Sequence, residues 1–326
     1  MTSELFAICN TTDRSRLLND KEIHMKIRTV SEEWKRIYGC KVMKLALTSG
    51  CTCPNRDGTI GSGGCSFCTG NGSGEFAADL NSIEVQIKEA KKRVDHKFPA
   101  ALPIEQRRYV AYFQAFTNTY GPTDKLERLY EEVLSYPEIA ALSIGTRPDC
   151  IPDDILEMLI RLNQKKTVYV ELGLQTVHES TAEAFGRGYS LDVFEKTYSR
   201  LKNAGLTVIV HMILGLPGEN KEDMLETARY LAALSPKLDG IKIQMLQILR
   251  GTRMEEEWTE HPFPLLTMEE YTDLVTECLR ILPEETVVHR MTGDPPRNLL
   301  IAPLWTTDKK RVLNMLRKKI AGETRG

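Results

Sequence analysis

The chain lacks any apolar run approaching the ~18 residues that a membrane-spanning helix needs. Its first twenty residues carry Glu4, Asp13 and Asp20 and no apolar stretch suited to a signal peptide, so a cytoplasmic address is expected. Neither sign of charge dominates. Against 43 Lys and Arg stand 45 Asp and Glu, a formal net charge of −2, which argues against coating nucleic acid through bulk electrostatics. No linker rich in Pro, Gly or Ser divides the 326 residues. At 41% hydrophobic and 27% charged, the chain is neither disordered nor collagen-like and is long enough to bury a sizeable core.

What the sequence does have is eight cysteines, unevenly placed. Cys51, Cys53, Cys65 and Cys68 fall within eighteen residues, while Cys9, Cys40, Cys150 and Cys278 are scattered and need no role beyond small apolar side chains. A cytosolic chain of this size has no need of disulfide staples, so the cluster reads as metal-binding or redox-active.

Residues 1–28 are polar and without clear periodicity, a loosely held extension in which Met25 offers an alternative start. From Lys41 a strand-then-helix rhythm begins. Strands are expected at 42–47, 109–113, 140–144, 167–172, 206–214 and 240–248. Helices are expected at 82–98, 123–135, 152–163, 190–204 and 220–234. In the first of these, Ile83, Ile87, Ala90, Val94 and Phe98 share one face. Asn220 followed by Asp223, and Pro152 with Asp153, suit helix starts. Six such units imply a parallel sheet with right-handed crossovers, and six are too few for a closed eight-stranded barrel. The expected fold is therefore α/β, a partial (β/α)6 TIM-like barrel. Its parts are an N-terminal extension 1–33, a core 34–264 and a C-terminal α/β extension 265–326 packed on the core. That extension holds a helix 268–281, a strand 286–291, a Pro-rich turn and a basic helix 307–320.

The first strand runs into a loop holding Cys51-x-Cys53 and Cys65-x-x-Cys68, with seven of the chain's 22 glycines between Gly58 and Gly74. Glycine reaches backbone angles closed to other residues, so this loop can wrap closely round a ligand. A structural zinc site with four thiolates is one reading, although C-x-C is an unusual zinc knuckle. An iron–sulfur cluster is the other, favoured because the loop leaves the carboxyl end of the first strand, where parallel α/β folds place their working site.

Cys53-x₁₁-Cys65-x₂-Cys68, within TCPNRDGTIGSGGCSFC, resembles the cluster loop of the radical S-adenosylmethionine (SAM) enzymes, and more narrowly of the YtqA/YhcC-type group. The superfamily's usual spacing is C-x₃-C-x₂-C, so the eleven-residue gap departs from the superfamily while fitting that group. The likeness runs from about Trp34 to Ile320 and includes YFQAFTNTY, TRPDCIP, ELGLQT, ILGLPGE and HRMTGDPP. It implies a [4Fe–4S] cluster on Cys53, Cys65 and Cys68, with one iron open to SAM. It also implies hydrogen abstraction by a 5′-deoxyadenosyl radical and an external electron donor of flavodoxin or ferredoxin type. Cys51, where the group usually has an aromatic residue, is expected to be a neighbour of the cluster and not a ligand.

The same resemblance assigns further residues to the cofactor site. Phe67 lies inside the cysteine turn. Gln114, Thr117 and Asn118 follow the second strand, where such enzymes contact the SAM amino group. Gln175 and Arg187 match positions that contact SAM and its carboxylate in the oxygen-independent coproporphyrinogen oxidase relatives, a task suited to a guanidinium fork. Glu171 shares the Gln175 strand, His211 stands where relatives place an acidic residue near the ribose, and Gly215 and Gly218 allow backbone approach to the adenine. Structural roles compete at each of these positions: a polar strand end, a salt bridge or a satisfied core histidine. His289, Arg290, Asp294 and Arg297 could contact substrate from a turn over the barrel mouth or lie in a solvated turn. KKRVLNMLRKK (309–319), with six positive charges, is a plain surface helix or a phosphate-binding patch. The expected substrate is a tRNA nucleoside, by likeness to the radical SAM half of the Elongator catalytic subunit. A small metabolite or tetrapyrrole is the alternative.

Overall fold

The computed structural model describes residues 25–72 and 74–322. The expected extension up to residue 24, including Cys9, lies outside the described residues.

The described chain opens with β1 (Arg28–Thr29), which runs straight into α1 (Val30–Tyr38). The polarity of this region hid the helix from a periodicity reading, but its start is encoded. The Thr29 hydroxyl accepts the Glu32 N–H while the Glu32 carboxylate accepts the Thr29 N–H, a reciprocal cap for two otherwise orphaned donors. Then come β2 (Val42–Leu47), the cysteine loop, α2 (Ile83–Val94), β3 (Arg108–Phe113), α3 (Thr123–Ser135), β4 (Ile139–Thr146) and α4 (Asp153–Lys165). Next are β5 (Val168–Gln175), α5 (Glu179–Ala184), α6 (Leu191–Asn203), β6 (Thr207–Leu214), α7 (Lys221–Ala232) and β7 (Gly240–Met245). The C-terminal part holds β8 (Ile248–Leu249), α8 (Arg253–Glu260), α9 (Met268–Ile281), β9 (Val287–Arg290), β10 (Leu300–Ala302) and α10 (Lys309–Ile320).

All six expected strands form, and the sheet then goes further. Its order is β1-β9-β7-β6-β5-β4-β3-β2, parallel throughout, curled into a partial barrel. The expected strand near 286–291 is β9, paired with β7 on one side and β1 on the other. Asn220 caps α7 with Asp223 as anticipated, and α2 ends at Val94 where a 3-10 turn takes over. The short helices α5 and α8, and the antiparallel pair β8–β10, carry too few residues for a periodic signal. No described helix is long and apolar enough to cross a membrane.

Because side chains alternate across a strand, each strand sends one set outward to the helices and one set into the barrel. The outward set is apolar: Leu45, Leu47, Ala111, Phe113, Leu142, Ile144, Val170, Leu172, Val210 and Met212 belong to one core with the helices. The inward set is layered. At the bottom Val42, Val110, Ala141, Tyr169 and Ile209 pack around Trp34 of α1, whose indole N–H donates to the Tyr169 hydroxyl at 3.1 Å. His289 of β9 lies edge-on to both rings. Above this plug the inward positions turn polar, and there the cleft begins.

Trp34 is 4% exposed and fills the bottom layer. Trp34→Ala is expected to cost about 3–5 kcal/mol, read as a lower urea midpoint at unchanged slope. An unchanged midpoint would show that α1 is not a plug.

Candidate active site

The site is built from the loop after β2 and from the inward faces of β2 to β7. Thr117 and Phe116, just past β3, donate their backbone N–H groups to Thr52 and Gly72 carbonyls at 3.2 and 3.1 Å, tying the loop's two ends to the sheet. Cys68 N–H closes a turn on the Cys65 carbonyl at 2.9 Å. The eleven-residue insert is held by Asn55, whose side-chain amide donates to the carbonyls of Gly186 and Arg187 at 2.7 and 3.2 Å. That approach needs Gly188: at φ +78° a Cβ there would stand 2.7 Å from Asn55 Oδ1.

Cys53, Cys65 and Cys68 line one cleft of about 250 Å³ at the carboxyl ends of the strands. The Cys65 thiol is held down to about 7, first by its hydrogen bond with Cys68, then by the Arg147 guanidinium and the Asn55 amide. Cys51 faces elsewhere. It packs with the outer core, close to Gly121, and burial raises its thiol. Three thiols on one glycine-rich loop, with a fourth turned away, fit a cluster held by three thiolates and do not supply the four ligands of a closed zinc site. Among the described residues, the group whose ligand atoms gather to within 4.8 Å is His178, Asp223 and Glu226, remote in sequence from the loop.

Phe67, Gln114, Thr117, Glu171, Gln175, Arg187 and His211 line the same cleft as the thiols. Gln175 sits at a bulge between β5 and β6 with φ +66°, a conformation rare outside glycine. Arg187 is buried and committed within the protein. It donates to the carbonyls of Leu174, Thr176 and Tyr189 at 2.8–3.2 Å and pairs with Glu179 at 2.8 Å. Two expected residues stand back. Asn118 is fully buried behind the wall, donating to the carbonyls of Phe113 and Gly145 at 3.0 and 2.9 Å and accepting from Ser49. Gly215 lines a separate groove with Leu266 and Trp305. Of the C-terminal candidates, Arg290 lines the cleft, His289 belongs to the plug, Asp294 pairs with Lys309, and Arg297 is exposed.

The cleft's floor is a buried ionic knot on Glu171. One carboxylate oxygen accepts from Lys44 Nζ at 2.9 Å and Ser143 Oγ at 2.5 Å. The other accepts from His211 Nε2 at 2.8 Å and from Lys242 Nζ, which also donates to the Tyr112 hydroxyl at 2.8 Å. Burial alone would raise the Glu171 carboxyl, but the Lys242 and Lys44 ammonium groups hold it well below the usual range. Burial pushes Lys242 well below an ordinary lysine, against the pull of Glu171. Burial, with Lys242 adding, lowers His211 to about 4. Lys44, Ser143, Lys242 and Tyr112 are missing from the sequence-based site. The signal was present: a lysine in the middle of VMKLAL and another in GIKIQM, each at an inward position of an otherwise apolar strand.

Comparison with known proteins adds to this geometry. Residues 53–231 match the family described as the Radical SAM superfamily, and 238–321 match its Radical SAM C-terminal domain. The chain is 40% identical over 302 residues to the uncharacterized protein YtqA of Bacillus subtilis, covering 92% of this chain and 91% of the relative. It is 37% identical over 275 residues to YhcC of Escherichia coli K12, covering 84% and 85%. The solved structure of Methanocaldococcus infernus Elp3 with an N-terminal deletion superposes with a TM-score of 0.62 at 18% identity, over 85% of this chain and 63% of that one, a likeness of fold.

A histidine held neutral to about pH 4 in the folded chain, against 6.5 when unperturbed, binds a proton in the unfolded state that the folded state refuses. Stability should therefore fall as pH drops from 6.5 to 4. His211→Gln should flatten that slope by about 1–3 kcal/mol, measured as urea midpoints across the window. Parallel slopes would remove His211 from the knot's titration.

Proposed function

The chain belongs to the radical SAM superfamily and is a radical SAM enzyme, and from that premise we propose that it abstracts hydrogen from a small molecule held inside the barrel. Its cofactors are a [4Fe–4S] cluster and SAM. When bound, they supply reductive cleavage of SAM and a radical able to take hydrogen from carbon. The observation that carries the reading is that three thiols and the Glu171 knot face one cleft, closed beneath by Trp34.

We assign Cys53, Cys65 and Cys68 to the cluster, which leaves one position open as catalytic metal sites require. Phe67, Gln114, Thr117, Gln175, Arg187 and His211 are assigned to SAM by their place around the same space. Arg187 offers SAM little beyond the bonds it already makes, so its main part is to hold the Gln175 bulge and the loop in place. Asn118 acts through the wall it braces, and Gly215 acts only through the groove beside it. Glu171 is saturated by four donors, so we place it beneath the cofactor as an organiser of the floor. Residues 34–264 form the core, and the flanking stretches 1–33 and 265–326 each lend it a strand. The electron comes from an external donor of flavodoxin or ferredoxin type.

A tRNA nucleoside is the second reading. It is favoured by α10, where Lys310, Arg311 and Lys318 are exposed and without ion-pair partners among the described residues. Likeness to Elongator complex protein 3 of Schizosaccharomyces pombe, 27% identical over 185 residues, supports it. That alignment covers 34% of the relative.

Anaerobically reconstituted protein should bind about four irons per chain and release 5′-deoxyadenosine from SAM with dithionite. Cys53→Ala, Cys65→Ala and Cys68→Ala should each lose the cluster, whereas Cys51→Ala should keep it. Zinc uptake without iron would sink the enzyme reading, and loss of iron in Cys51→Ala would make Cys51 a ligand. A tRNA nucleoside that disappears when the gene is deleted would replace the small-molecule reading by the second.

A further inference from the structure

The barrel floor carries more positive charge than it balances. Lys242 and Arg290 line the cleft, with Glu171 as the carboxylate among its lining residues, while Lys44 pairs with Glu171 from outside that lining. His211 is neutral at pH 7, since its pKa is lowered to about 4. The other guanidinium groups of the wall are spoken for: Arg147 pairs in two-point fashion with Asp149 at 2.9 and 2.7 Å, Arg187 with Glu179 at 2.8 Å, and Arg56 with the Cys68 and Thr69 carbonyls. Arg290 has only weak company, Gln244 Oε1 at 3.5 Å and Asp294 at 3.6 Å, and Asp294 is held closer by Lys309 at 2.7 Å.

The donors also outnumber the acceptors. Glu171 takes two hydrogen bonds on each oxygen and has no strong site left. An ammonium has three N–H donors. Lys44 spends one on Glu171, and Lys242 spends one there and one on the Tyr112 hydroxyl. Their nitrogens stand 4.4 and 4.3 Å from the centroid of the Tyr112 ring, which keeps the two cations close together. Leaving like charges crowded in a buried site is costly unless something anionic joins them.

We propose that Lys242 and Arg290, with Lys44 adding positive charge from beyond Glu171, form an anion-binding subsite at the barrel floor that anchors a carboxylate or phosphate group of the substrate. This rests on the reading that the substrate sits inside the barrel. The subsite would fix one end of the molecule at the floor while the rest extends toward the thiols, which is the kind of positioning that a selective hydrogen abstraction needs.

The test uses cluster-reconstituted protein with SAM and no reductant, titrated calorimetrically with acetate, inorganic phosphate and acetamide. The subsite predicts saturable binding of one of the two anions and none of acetamide. Acetate binding identifies a carboxylate substrate and phosphate binding a phosphate ester. Lys242→Met and Arg290→Met should each weaken binding by about tenfold, the usual worth of one charge-assisted bond. Arg290 is partly exposed, so Arg290→Met decides the matter if Lys242→Met does not fold. Neither anion binding, equal binding of acetamide, or unchanged affinity in Arg290→Met would overturn the subsite. A protein that binds the anion but never cleaves SAM keeps the subsite and loses the radical reading, and the converse result separates them the other way.

Discussion

One buried carboxylate organises the barrel. Glu171 on β5 receives Lys44 from β2, Ser143 from β4, His211 from β6 and Lys242 from β7, so five strands converge on two oxygen atoms. Taking a carboxylate and an ammonium out of water costs several kcal/mol per ion, and only good geometry with every lone pair satisfied recovers it. The knot meets that condition for the carboxylate. A hydrophobic filling of the same volume would hold the strands about as well. Such a filling would leave nothing polar under the cleft, so the ionic floor makes more sense as part of the site than as a stabilising device.

Above the floor, the site depends on a loop that the sheet alone could not position. The long gap between Cys53 and Cys65 makes a lobe of its own, and Asn55 pins that lobe to the Gly186–Arg187 backbone. Arg187 in turn grips the carbonyls on either side of the Gln175 bulge. Cysteine loop, glycine-flanked arginine and bulged strand therefore form one hydrogen-bonded unit. Its rigidity comes from backbone carbonyls, which do not change with the identity of neighbouring side chains.

The alternation of strand and helix was legible because each unit is long enough to show its period, and Thr123–Ser135 and Met268–Ile281 fall where the pattern puts them. The thiols were legible because cysteine clustering is rare. The floor was harder to read. Lys44 and Lys242 each look like a surface residue until the strands are curled and both turn inward, and no local pattern says that residues 198 positions apart will share Glu171. Helix α1 escaped notice for the opposite reason. Its capping box Thr29-x-x-Glu32 is in plain view, but the polar face that surrounds Trp34 looks like solvent-exposed chain until the barrel supplies an end to close. Cys51 could not be separated from its neighbours by spacing, because the C-x-C turn sends it to the outer core while Cys53 faces the cleft.

The edge of the sheet has a consequence for how the chain reaches this state. Arg28 pairs with Val287, and α1 docks its tryptophan against β5 and β9. As the chain leaves the ribosome, the segment that closes the barrel emerges before every unit between it and β9, the strand it pairs with. The entropy of closing so long a loop is met only after the intervening units have condensed. Until then Trp34 and the open end of the barrel are exposed together, and that interval is the one in which an unfinished chain is most prone to associate with another.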